Sequence, residues 1–171
     1  MTYNLHPIFV HFPIALLLIY SIIRILPLQK WFSGTSWKHI ERVLLLLGTL
    51  GAFASSATGE IAEELVRPNH ALVEMHSLFA GISTWVYAIL LLGEILVILR
   101  PYISTKISSD RLKNFVSKLT TILTNNILGI VLALVGLVAI TLTGLLGGVM
   151  VYGTSADPFA AIVLKILGIN L

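Results

Sequence analysis

Cysteine is absent from this chain of 171 residues. That removes disulfides, thiolate metal sites, c-type haem attachment and cysteine-held iron–sulfur clusters. Charge is scarce too. Only 11% of the residues are Asp, Glu, Lys or Arg, against about 25% in an ordinary soluble domain. No Lys or Arg precedes Arg24 and no small-residue cleavage site follows the first apolar run, so that run is expected to be a retained helix and not a signal peptide. The chain offers no phosphate-cradling glycine loop and no paired nucleophile and base, which sets hydrolytic and nucleotide-dependent enzymes aside. A net charge of +3, with its basic residues in two short loops, argues topology and not nucleic-acid binding.

Long apolar runs are what the chain does have. It is 57% hydrophobic, with a mean hydropathy of +0.95. The runs are continuous and not alternating, so they predict membrane helices and not barrel strands. The expected fold is all-α: a single integral membrane four-helix bundle over residues 1–171, with spans near 7–28, 40–58, 76–100 and 127–152. A last apolar stretch near 158–168 is too short to cross ~30 Å of hydrocarbon and is expected to lie on the surface or cap the bundle. Pro13 should loosen the first span, Asn69 should cap the third, and Pro101 should end it. Asp110 to Leu123 is amphipathic, suited to an interface or to an inward extension of the last span.

Small residues recur along two spans. Gly48, Ala52 and Ser56, with Gly51, Ser55 and Gly59, stripe the second. Gly129, Ala133, Gly136, Gly144 and Gly147 stripe the fourth. Such stripes let helices approach closely in lipid. Arg24, Lys30, Lys38, Arg42, Arg100, Lys106, Arg111, Lys113 and Lys118 gather at one end of the spans. Arg67 and Lys165 stand at the other, with Glu60, Glu63, Glu64, Glu74 and Asp157. The positive-inside rule then puts both termini outside, on the periplasmic side of a bacterial or archaeal cytoplasmic membrane.

Four of the five histidines fall at that outer end: His6 and His11 at the mouth of the first span, His70 and His76 at the mouth of the third. Ionisable side chains this close to hydrocarbon default to a functional role. Imidazoles on facing helices predict a b-type haem, with His11 and His76 as axial ligands and His6 and His70 at the propionate edge or as alternative ligands. Ala15 and Ala80 follow the two axial candidates by one turn and leave room for a ring. Because His6 and His11 are about 140° apart on a continuous helix, both can face one centre only if the prolines bend the chain. The alternative is a non-haem copper, zinc or iron site built from His6, His11, His76 and Glu60. His39 lies at the inner end and stays outside either site. Glu94 is intramembrane; its functional role would be a proton relay, and its structural role a partner for Arg24 at similar depth.

The opening His6-Pro7-Ile8-Phe9-Val10-His11-Phe12-Pro13-Ile14-Ala15-Leu16 resembles the N-terminus of a family of small prokaryotic membrane proteins catalogued as domain of unknown function 2231. Gly59-Glu60 after the second span, His76 opening the third, and Gly147-Gly148 followed by Tyr152 fit the same family. The resemblance runs to about Gly153. It departs at Thr154 and Ser155, where the family often carries a histidine. It implies a four-helix membrane bundle and no established activity. The residues themselves point to a cytochrome b-like electron-transfer subunit, enzymatic only as part of an oxidoreductase, working between a quinol or partner subunit and a periplasmic carrier. The alternative is an accessory subunit of a larger membrane complex, with structural or metal-holding histidines.

Overall fold

The computed structural model describes residues 6–66 and 69–169. Arg67, expected at the outer end, lies outside them; the outer end is here the end of the bundle that bears His6 and His76, and the inner end the one that bears Glu41 and Glu94. The described residues are mostly helical, without strands: α1 (His6–Ile25), α2 (Leu28–Trp31), α3 (Trp37–Val66), α4 (His70–Lys106), α5 (Asp110–Leu123), α6 (Asn126–Tyr152), a 3-10 turn at Thr154–Ala156, and α7 (Ala160–Ile166). Helices α1, α3, α4 and α6 are long and apolar enough to cross a membrane. Large side chains such as Ile8, Leu50, Trp85, Ile98 and Val138 stand exposed on their outer faces. In water that surface would be unfavourable; against lipid tails it is the ordinary state of a spanning helix.

The helices form a ring in which α1 touches α3 and α6, and α4 touches α3 and α6. Helices α1 and α4 therefore face each other across the diagonal. Two hairpins, α1/α3 and α4/α6, make the bundle. Asn69 caps α4 by accepting from the Ala71 N–H, and Asn125 caps α6 by accepting from Ile127 and Leu128. At about 1.5 Å per residue, the 37 residues of α4 far exceed a bilayer core. Pro101 does not end α4. The helix runs on to Lys106, and the hydroxyls of Ser104 and Thr105 donate to the Pro101 carbonyl. Helix α5 doubles back beside that inner extension. Arg100 donates to Ser117, and Leu123 packs on Gly93.

Pro13 does not break α1 either. Proline has no N–H, so the carbonyl four residues back loses its helical donor. That carbonyl belongs to Phe9, and the Ser55 hydroxyl of α3 donates to it at 2.9 Å. The Pro13 ring packs on Gly51, and Leu17 fits against Gly48. The small-residue stripe of α3 is the seat of α1. Helix α7 caps the outer end of the second hairpin: Ala160, Leu164 and Ile169 bury with Leu72, Leu146 and Val149.

Midway through the bundle a polar pair crosses the diagonal. Tyr87 of α4 is fully buried, and its hydroxyl lies 2.8 Å from the Ser21 hydroxyl of α1. Tyr20 meets the Tyr87 ring edge-on, with centroids 6.0 Å apart. Tyr87 occupies this place because α6 offers Gly136 there; a Cβ at that position would stand 2.7 Å from Cζ of the tyrosine. The crowding is against a ring held on all sides, so relief requires α6 to move. Gly136→Ala is expected to cost about 1–3 kcal/mol, the usual range for overpacking a close-packed core. Thermal unfolding in detergent checks this. An unchanged midpoint would mean that Tyr87 is not held by α6.

Candidate functional site at the outer mouth

Helix α1 begins at His6, and its ring reaches across to α3. Nδ1 of His6 lies 3.0 Å from Oγ1 of Thr58. The Thr58 hydroxyl donates its own hydrogen to the Ser55 carbonyl at 2.9 Å. The arrangement that serves both contacts has Nδ1–H of His6 donating to the Thr58 oxygen. The Cε1 edge of His6 lies over Gly59, 3.5 Å from where a Cβ would stand.

His76 repeats this arrangement in the second hairpin. It projects from α4 toward α6, and its Nδ1 lies 3.0 Å from the Thr143 carbonyl. A carbonyl can only accept, so Nδ1 carries the proton and the ring lone pair is on Nε2. The edge of the ring lies over Gly147, 3.3 Å from its missing Cβ. Both histidines are half-buried. Each hairpin thus contributes one imidazole from its first helix. Its second helix supplies a threonine as hydrogen-bond acceptor and a glycine as floor.

The other histidines are placed differently. His11 is exposed, with its Nδ1 donating to the Pro7 carbonyl one turn back on α1. Ala15, one turn further, is exposed with it. The helix is continuous through Pro13, so the prolines do not swing His11 onto the side of His6. The half-buried imidazole of α1 is His6. His70 and Glu60 are exposed at the outer end. His39 bonds to the Ser36 hydroxyl at the inner end. Among the described residues no three His, Asp or Glu side chains come together as a metal-binding group, so His6, His11, His76 and Glu60 do not form one cluster.

Residues 2–156 match a family described as "Predicted membrane protein" and catalogued as DUF2231. The chain belongs to that family. No curated protein and no solved structure matches it. Within this DUF2231 chain, the resemblance-bearing residues pair off within each hairpin, His6 with Gly59 and His76 with Gly147. Ser55, Thr58 and Thr143 were not singled out from sequence as members of the site. Their signal was present in weak form, as a hydroxyl residue close to a glycine on each of two helices that follow a histidine-bearing one.

The inner end is closed by charge. Glu94 of α4 does not pair with Arg24. It binds Lys38 and Arg42 of α3, the latter at 2.9 Å. Arg24 instead pairs with Glu41 at 3.8 Å, and Lys38 also reaches Glu41. The reason is steric as well as electrostatic. The Arg24 guanidinium is seated against Gly129 of α6, while α4 lies across the diagonal. These carboxylates are mostly covered, so removing one partner leaves an uncompensated charge. Glu94→Gln is expected to lower stability by up to about 3 kcal/mol. A double-mutant cycle should show coupling between Glu94 and Arg42 and almost none between Glu94 and Arg24. Strong Glu94–Arg24 coupling would reverse this assignment.

Proposed function

We propose that this chain is a cytochrome b-like electron-transfer subunit, holding one haem b near the outer face through His6 and His76. The carrying observation is the matched pair of imidazoles, one from each hairpin, each with Nδ1 hydrogen-bonded to the second helix of its own hairpin. An outer partner on one ring nitrogen fixes the tautomer and orientation of a ligating histidine, and directs the other nitrogen to the iron. Two imidazoles also suit the donor count. Haem iron takes its remaining ligands from the porphyrin, whereas a non-haem centre needs further protein donors. The glycine floors under both rings fix their position without side chains that would crowd a flat ligand.

When bound, haem supplies a one-electron couple. The chain's part is to hold the rings, to exclude water with the α7 cap, and to set the depth of the site. Both imidazoles lie at one end, so the subunit serves one membrane face and does not by itself carry electrons across. Its partners on this reading are a quinol or neighbouring subunit on one side and a periplasmic carrier on the other.

A visible spectrum of the purified protein tests the assignment. A Soret band and sharp reduced bands are expected. His6→Ala and His76→Ala should each abolish or convert them. His11→Ala, His70→Ala and His39→Ala should leave the band positions unchanged. Unaltered spectra in both axial variants would overturn the ligand pair. A colourless protein with stoichiometric copper, zinc or iron would transfer the site to a non-haem metal. A colourless protein without metal would support an accessory subunit with structural histidines.

The same proposal places the site on the periplasmic side of a prokaryotic cytoplasmic membrane. It is supported by Arg24, Lys30, Lys38, Arg42, Arg100, Lys106, Arg111, Lys113 and Lys118, which lie at the opposite end of the bundle. A reporter fused after Leu171 should show periplasmic activity. Cytoplasmic activity would move the histidines to the inner face.

A further inference from the structure

Several buried serines and threonines in this bundle give their hydroxyls to a backbone carbonyl. Ser83, Thr120 and Thr143 each donate to a carbonyl of their own helix, and Ser55 shares its hydrogen between the carbonyls of Gly51 and Phe9. Thr49 breaks the pattern. It is 1% exposed, and its Oγ1 has no hydrogen-bond partner among the described residues. An unpaired hydroxyl in an apolar surround is unfavourable, so it calls for an explanation.

Its position supplies one. Thr49 shares a face of α3 with Leu45 and Ala52, one turn to either side. Both pack in the cluster that contains Leu17, Tyr20 and Tyr87. Its neighbour Gly48 is the residue on which Leu17 sits. Thr49 is thus at the level of the Tyr87–Ser21 pair, in the middle of the bundle. That pair has unspent capacity of its own. One of its two hydroxyl hydrogens makes the 2.8 Å bond between them. The other contact of Tyr87, to the Leu17 carbonyl, is stretched to 3.5 Å. Lone pairs on both oxygens remain.

We infer that a single buried water is bound at this level, held by Thr49 Oγ1, the Tyr87–Ser21 hydroxyl pair and the Leu17 carbonyl. A buried water typically makes about three hydrogen bonds to groups of this kind. Here it would accept from Thr49 and donate to the hydroxyl pair and the carbonyl, so the unspent groups satisfy one another. The site links α1, α3 and α4 at a depth where lipid offers no alternative partner. It is independent of the histidines and of any cofactor.

Radiolytic footprinting of the whole protein in detergent, in ¹⁸O-labelled water, tests it. Hydroxyl radicals formed from a bound internal water oxidise the side chains beside it, whatever their exposure. Label is expected at Tyr87 and Leu17, both fully buried, and not at Leu146, which is equally buried in the outer cluster. Thr49→Val keeps the shape and removes the hydroxyl, so it should reduce the label at Tyr87 and Leu17 to the level of Leu146. Thr49→Ser should retain it. Unfolding midpoints confirm that each variant is folded. Absence of label at Tyr87 while exposed Trp85 is labelled would overturn the site, as would label that persists in Thr49→Val. A Thr49→Val variant more stable than the parent would show a dry, unpaired hydroxyl instead.

Discussion

A backbone carbonyl that loses its N–H partner inside hydrocarbon has no water to turn to. Much of this bundle follows from that. The proline at position 13 strips a donor from Phe9, and α3 must come close enough for Ser55 to replace it. Close approach requires the small residues Gly48, Gly51 and Ala52 on the facing stripe. The same serine stands one turn before Thr58 and Gly59, so the helix pairing that repairs the proline also positions the acceptor and the floor for His6. A local defect in α1 sets the register of the first hairpin, and that register sets half of the site.

Helix α6 plays the corresponding part in the second hairpin, but by omission of side chains. It carries no charge. Gly129 takes the Arg24 guanidinium, Gly136 takes the Tyr87 ring and Gly147 takes the His76 ring. These are the inner, middle and outer polar layers, and each of them joins side chains that helix packing alone would not bring together. The glycine stripe therefore does more than let helices pack: it makes room for the functional and ionic groups of other helices.

The spans and the short terminal helix were legible in the sequence, because hydropathy acts over many residues. The pairing within those layers was not. His11 and His76 have similar depth, and so do Arg24 and Glu94, but depth does not reveal which helices are diagonal. Arg24 pairs with Glu41 because α3 is its neighbour, and His6 replaces His11 because α1 stays helical through Pro13. Pro101 misled in the same way. Proline removes one hydrogen bond, and a helix that has left the hydrocarbon can lose that bond to water without ending.

The twofold arrangement of the mouth has a consequence for biogenesis. Each hairpin holds one histidine bonded to its own second helix. Neither hairpin holds a two-imidazole centre. On the proposed function, a two-imidazole centre would form only when the hairpins dock, so its completion would report correct assembly.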